Sequence, residues 1–375
     1  MLKVLDLACL VIGKSSRDAP ADSVLRETLR RQRGVTRDEG FLVSRIVFSY
    51  YRWLGWLNQE EPLREQIAHA QDLAERFGAR PQSFSDEELV GRAVPAWVNK
   101  EMEVTPAWAR ALQSEPRLWL RARKGQGRAL AARLGDTHLF GAGPLSDILE
   151  YRGIEDLFRT IEFQAGEFEL QDISSQAVGL ICAPKPGETW WDAFAGEGGK
   201  TLHLSDLMDN KGLIWAMDRA AWRLQKLKQR AARARMFNYR TALWNGSPKL
   251  PTKTKFDGVL VDAPCSGTGT WSRNPHARWT TTPQDVKELG EVQKQLLANT
   301  ASALKPGGKL VYAVCTLTRA ETVAVIESFE KQFKDFERSE LSNPLEPGST
   351  PLIPQWLLPQ QFGGNGMFIA GWVKK

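Results

Sequence analysis

Cysteine and histidine are scarce: the 375-residue chain has four of each. Cys9, Cys182, Cys265 and Cys315 are far apart, and no Cys-x-x-Cys pair or mixed Cys/His cluster exists. That spacing argues against a structural zinc site and against a disulfide framework, so no metal is expected. Free thiols suit a reducing, cytoplasmic compartment. A run of about 18 apolar residues is also missing, so no membrane-spanning helix is expected. The opening MLKVLDLACLVIG superficially has the character of a signal peptide. Asp6 interrupts it and no Ala-x-Ala-like cleavage site follows, so it reads as an amphipathic first helix. Repeats and low-complexity tracts are absent.

What remains is an ordinary globular balance, with 42% hydrophobic and 25% charged residues. Disorder of the whole chain is excluded on that composition. The length suggests two or three domains. A formal net charge of +6 permits nucleic-acid binding without requiring it. Fourteen tryptophans are unusual, and most are expected in the core.

The chain changes character twice. Residues 1–92 carry apolar side chains (Leu25, Leu29, Phe41, Leu42, Ile46, Val47, Tyr50, Leu54) near helical spacing, and Thr36 and Glu39 have the spacing of a capping box. Residues 93–165 are mixed: a helix near 105–114, then a short basic strand in RLWLRARKG. In residues 166–375, short apolar runs alternate with helical stretches. The runs are 189–195, 212–218, 256–264 and 308–315; the helical stretches lie near 200–208, 219–236 and 283–304. This alternation predicts an α/β Rossmann-like domain with a doubly wound, mainly parallel sheet, whose ligands bind at the carboxyl ends of the strands.

The first of these strands runs into Asp192-Ala193-Phe194-Ala195-Gly196-Glu197-Gly198-Gly199-Lys200-Thr201. A phosphate-binding loop needs a glycine where Phe194 stands, and a dinucleotide fingerprint needs one where Thr201 stands. The loop of S-adenosylmethionine enzymes, Asp-x-x-x-Gly-x-Gly, fits. An acid ending the next strand should then hold the ribose, and Asp218 lies 26 residues beyond Asp192. Arg223 follows it on the next helix. Asn245, in Trp244-Asn245-Gly246, sits where the adenine is contacted. A helix cap is the competing role for Asp218.

Two cysteines fall at neighbouring strand ends, Cys265 in Asp262-Ala-Pro-Cys265-Ser-Gly-Thr-Gly and Cys315 in Val-Cys315-Thr. Core packing is the ordinary role of a single cysteine, and Cys9 and Cys182 are assigned to it. The pair suits a harder task. Carbon 5 of cytosine is a poor nucleophile until a thiolate adds at carbon 6, after which it can attack a methyl sulfonium. A carboxyl such as Asp262 could stabilise charge at N3.

Several motifs then occur in a familiar order: LQDISSQAV (170–178), DAFAGEGGKT (192–201), DAPCSGTGTWSRNPHARW (262–279), LKPGGKLVYAVCT (304–316) and GMFIAG (366–371). Residues 166–375 resemble the RsmB/Sun family of S-adenosylmethionine-dependent RNA cytosine-5 methyltransferases. The resemblance gives Cys315 the nucleophile's role and Cys265 a role in product release. It makes Asp262 and Lys200 the active-site carboxylate and lysine. Residues 1–92 resemble the family's NusB-like helical domain, and 93–165 its small RNA-contacting subdomain. Phe194, Gly196 and Glu197 depart from the family's Cys, Ala and Pro, Asn245 replaces the usual Asp, and Val314 replaces a Thr. The resemblance implies an RNA substrate, rRNA ahead of tRNA, and a monomer is expected. An inactive assembly factor in the same fold is the rival reading, motivated by the altered loop.

Basic side chains are the candidates for holding RNA: Arg121, Arg123 and Lys124 in the second segment, and Arg273 and Arg278 beside the DAPCSGTG loop. Residues 219–240 also contain eight Lys/Arg and no acid. Such a stripe serves either as a solvated face or as a phosphate contact.

Overall fold

The computed structural model describes residues 2–375 and divides into two compact units. One holds the chain up to Pro116 together with Gly267–Val286; the other holds Arg117–Ser266 and Lys287–Lys375. The boundaries expected near 92 and 165 therefore shift. The Pro106–Gln113 helix stays with the N-terminal helices because Arg110 donates to the Pro81 and Phe84 carbonyls and pairs with Asp86. The strand expected after it joins the larger unit instead.

The first unit is helical: Leu2–Lys14, Ala21–Arg31, Arg37–Trp53, Leu63–Ala79, Asp86–Arg92 and Pro106–Gln113. The capping box at the third helix is present. Thr36 Oγ1 accepts from the Glu39 N–H at 3.2 Å, and Glu39 Oε2 accepts from the Thr36 N–H at 2.7 Å. Trp53, Phe77 and Phe84 form a ring cluster with centroids 5.2–5.5 Å apart. The Gly267–Val286 segment is sewn in through its own side chains. Trp279 Nε1 donates to the Tyr51 carbonyl at 2.7 Å, and fully buried Arg278 bonds four carbonyls.

The second unit begins with β1 (Leu118–Ala122), β2 (Thr137–Leu139), β3 (Ile148–Tyr151) and β4 (Phe168–Leu170), an antiparallel sheet in the order β2-β3-β1-β4. The main sheet follows: β5 (Thr189–Asp192), β6 (Leu213–Asp218), β7 (Tyr239–Leu243), β8 (Phe256–Asp262), β9 (Leu304–Val314), β10 (Phe336–Arg338), β11 (Gln355–Leu357) and β12 (Met367–Lys374). Its order is β10-β12-β9-β8-β5-β6-β7, with β11 pairing β12. Strands β5 to β9 are mutually parallel, and β12 is antiparallel to β9. Each predicted apolar run is one of these strands.

The strands are apolar on both faces because both are covered, as parallel sheets require. One layer centres on Trp190, Leu202, Ile214 and Leu260, the other on Trp191, Met217, Val259 and Tyr312. Chain order reverses where β5 lies between β8 and β6, so a crevice opens at the carboxyl ends of these strands. Among the described residues, no helix is long and apolar enough to cross a membrane.

Candidate active site

The ends of β5, β6, β8 and β9 carry Asp192, Asp218, Asp262 and Val314. After β5 the chain turns through Gly196 (φ +55°) and Gly198 (φ +90°), conformations that L side chains rarely adopt, into the Gly199–Leu207 helix. A Cβ on Gly196 or Gly199 would meet nothing within 4 Å, so this face of the turn is open. The Gly196 N–H donates to Asp218 Oδ2 at 3.1 Å and the Ala220 N–H to Oδ1 at 2.8 Å. Asp218 thus closes a two-residue turn onto Ala220, makes no capping bond to the Ala221–Arg233 helix, and is tied to the glycine turn. Its two oxygens retain lone pairs for further donors.

Asp192 is buried. Its Oδ2 accepts from Thr201 Oγ1 at 2.6 Å, while Oδ1 has no partner. Burial pushes this carboxyl up to about 7, opposed by the Thr201 hydrogen bond and reinforced by the Asp262 charge. A buried unpartnered carboxylate oxygen beside an open glycine turn and a helix N-terminus suits S-adenosylmethionine. Asp192 would take its ammonium, the turn's N–H groups its carboxylate, and Asp218 its ribose hydroxyls.

Because its pKa is raised in the folded protein, Asp192 holds its proton more tightly there than in the unfolded chain. That stabilisation is complete below roughly pH 4 and is lost as pH rises through about 7. Asp192→Asn is therefore expected to raise the melting temperature more at pH 8.5 than at pH 5. An equal gain at both values contradicts the assignment.

The departures from the family pattern are accommodated locally. Phe194 packs on Trp244, centroids 5.4 Å apart, and Trp244 packs on Trp191 at 4.8 Å. Glu197 pairs with Lys226 at 2.8 Å and its carbonyl accepts from Arg230, so its charge is answered within the unit. Arg223 lies 3.9 Å from Asp218 Oδ2. Asn245 is exposed, accepts from the Ser247 N–H and lines an open cleft of about 410 Å³ with Arg219, Trp244 and Leu250.

Strands β8 and β9 are in register with Asp262 opposite Ala313. The loops leaving them bring Cys265 Sγ and Cys315 Sγ to 3.2 Å. The hydrogen bond from Cys265 holds the Cys315 thiol below the usual thiol range against the opposing effect of burial; Lys200 adds to the lowering and Asp262 opposes it. Lys200 Nζ lies 2.7 Å from Asp262 Oδ2. Burial works against the Lys200 ammonium, but the Asp262 carboxylate outweighs it and keeps the group charged. Burial instead pushes Cys182 up to about 12, which leaves it an inert core thiol. Among the described residues, no cluster of potential ligands could hold a metal ion.

Two of the five expected RNA contacts, Arg121 and Arg278, are corrected. Arg121 is buried, bonds Gln171 at 2.7 Å and is paired with Asp206. Arg123 pairs with the other Asp206 oxygen at 2.7 Å. Arg278 is fully buried among the carbonyls described above. Lys124 and Arg273 are exposed, with Lys124 2.6 Å from Asp209. The Ala221–Arg233 helix is likewise answered from other elements: Arg230 and Arg233 both pair with buried Glu169 at 2.8 and 2.6 Å. Sequence reasoning missed Glu321, a buried carboxylate between the two cysteine loops, for which the linear sequence gives no signal.

Residues 179–373 match the family described as 16S rRNA methyltransferase RsmB/F. The chain is 38% identical over 219 residues to a probable ribosomal RNA small subunit methyltransferase B from Synechocystis sp., covering 56% of this chain and 49% of that protein. It spans about half the length of the curated relatives it matches. A methyltransferase homolog protein from Pyrococcus horikoshii superposes on 72% of this chain and 90% of its own, with TM-score 0.61 and 29% identity. The crystal structure of PH0851 shares the fold over 98% of this chain and 97% of its own, with TM-score 0.79 and 21% identity.

Proposed function

The chain belongs to the 16S rRNA methyltransferase RsmB/F family, whose methyl donor is S-adenosylmethionine, and on that premise we propose that it methylates carbon 5 of a cytosine in small-subunit rRNA. The observation that carries this reading is the pair of thiols 3.2 Å apart beside a Lys200–Asp262 ion pair of 2.7 Å. Two adjacent thiols at strand ends have no use in simple oxygen or nitrogen methylation. They have one where a ring carbon must be activated covalently and then released.

The Cys315 thiolate adds to carbon 6 of the pyrimidine, and the electron pair of the 5,6 double bond moves into the ring, making carbon 5 nucleophilic. Charge that develops at N3 meets the Lys200–Asp262 pair, whose ammonium is a ready donor. The cofactor supplies an electrophilic methyl group. Once carbon 5 carries the methyl, Cys265, having released its own proton to solvent, takes the carbon-5 proton as a thiolate. The electron pair of that C–H bond re-forms the double bond as the carbon 6–sulfur bond breaks, returning Cys315 as thiolate. The target base must leave its stack to reach these sulfurs, which favours looped or locally opened RNA. Arg273 and Lys124 are the proposed backbone contacts.

The test is label transfer from S-adenosylmethionine to unmodified rRNA and tRNA pools, read as 5-methylcytidine by nucleoside mass spectrometry. Product in the small-subunit rRNA supports the reading. Product confined to tRNA would reassign the substrate. No product, together with no cofactor binding, would leave an RNA-binding protein in an enzyme's fold.

A further inference from the structure

One buried carboxylate grips both loops that carry the thiols. Glu321 ends the short turn Arg319–Glu321 and is fully buried. Its Oε1 accepts from the Ser266 N–H at 2.8 Å and from Gln293 Nε2 at 3.0 Å. Its Oε2 accepts from the Ser266 hydroxyl, from Thr316 Oγ1 at 3.0 Å and from Thr318 Oγ1 at 2.9 Å. Ser266 follows Cys265 directly, and Thr316 follows Cys315. Gln293 completes the frame: its Nε2 also donates to the carbonyl of Pro264, the residue before Cys265, at 2.8 Å. Its Oε1 is 3.0 Å from the Tyr312 hydroxyl, which also donates to the Glu321 carbonyl at 2.7 Å.

A carboxylate this deep is tolerated only when its oxygens are saturated by donors, and here five converge on it. A carboxylate needed merely to cap its own turn would find donors on one loop. These donors come from the loop after β8, the loop after β9 and the Pro283–Ala301 helix. We propose that Glu321 is a positioning residue that fixes the spacing of the Cys265 and Cys315 sulfurs by clamping both loops. The inference rests on the two-thiol reaction above, since addition and release require both sulfurs to reach one pyrimidine.

Phenylarsine oxide tests the spacing without catalysis. It joins two thiols by two As–S bonds, with the arsenical oxygen leaving as water together with the two thiol protons. The wild-type chain is expected to take one arsenical that protects Cys265 and Cys315 together from alkylation. Glu321→Gln keeps an acceptor for the Ser266 N–H and Gln293, and two of the three hydroxyls can turn to accept from its two amide hydrogens. Bridging and kcat should therefore stay within about threefold. Glu321→Ala removes the clamp. Bridging is expected to weaken about tenfold or more and kcat to fall about 10²-fold, with KM for RNA and for cofactor within about twofold.

Retention of both bridging and kcat in Glu321→Ala overturns the proposal, as does an equal loss in Glu321→Gln. Should Glu321→Ala lack a cooperative melt, the near-isosteric Thr316→Val combined with Ser266→Ala gives the same two readouts: lost bridging supports the clamp, and retained bridging overturns it. If the protein makes no 5-methylcytidine at all, the arsenical arm still decides the clamp, so its failure and that of the proposed reaction are distinguishable.

Discussion

Cys315→Ala is expected to abolish methyl transfer, by roughly 10⁴-fold or more, while Cys265→Ala is expected to trap the protein on its RNA. Two sulfurs 3.2 Å apart should thus give opposite phenotypes. The asymmetry comes from their surroundings. Cys315 receives a hydrogen bond from Cys265 and lies within the field of the Lys200 ammonium, and both effects favour its thiolate. Without it, the site keeps only the Cys265 thiol, which is assigned to release and not to addition. Without Cys265, addition and methylation proceed, but the carbon 5 proton has lost its acceptor side. The adduct should then survive denaturing electrophoresis. Cofactor binding should remain within about twofold in both variants, because neither sulfur belongs to the glycine turn. Identical phenotypes for the two variants would contradict the division of roles.

Arg278→Met is expected to destabilise the N-terminal unit by about 3–5 kcal/mol, lowering its melting temperature by roughly 10 °C or more. Arg278 Nη1 donates to the carbonyls of Arg52 and Ala93 at 3.3 and 3.0 Å, and Nη2 to those of Leu112 and Trp271 at 2.9 and 3.3 Å. Arg52, Ala93 and Leu112 lie at the carboxyl ends of three helices, Arg37–Trp53, Asp86–Arg92 and Pro106–Gln113. Among the described residues, no carboxylate bonds this guanidinium. The negative ends of three helix dipoles take its place. Burial, reinforced by the neighbouring Arg52 charge, lowers the Arg278 pKa to about 9, so the group stays protonated at neutral pH. Methionine fills the stem's volume but leaves four buried carbonyls without their donor. Arg278→Lys should rescue little, because one ammonium cannot reproduce the planar fork. Exposed Arg33→Ala is the control, expected within about 0.5 kcal/mol. Chemical denaturation followed by tryptophan fluorescence reads all three. A wild-type midpoint for Arg278→Met contradicts this account.

Features set by near neighbours were legible in the sequence. The capping box at Thr36 depends on residues three apart, and β5, β6, β8 and β9 announced themselves as short apolar runs buried on both faces. The glycine turn, Asp218 and the two cysteines could be placed because a parallel sheet brings strand ends together wherever they lie in the chain. Charges were misjudged where their partners are remote. Arg121 meets Asp206, 85 positions away, and Arg230 meets Glu169, 61 positions away. Part of a basic run that looked unpaired in one dimension is answered by carboxylates in three. Arg278 was read as an RNA contact because it stands beside a catalytic motif. Its true partners are backbone carbonyls, which leave no trace in composition. Glu321 was invisible because its donors come from three elements far apart in the chain.

The most direct measurement maps the covalent bond itself. Cys265→Ala is mixed with unmodified small-subunit rRNA and S-adenosylmethionine, digested with nuclease and trypsin, and the nucleotide-bearing peptide is sequenced by mass spectrometry. The account predicts the nucleotide on Cys315 within LVYAVCTLTR (310–319), with the added mass of one methyl on the base. A methylated product with no adduct, or an adduct on any other residue, would contradict it.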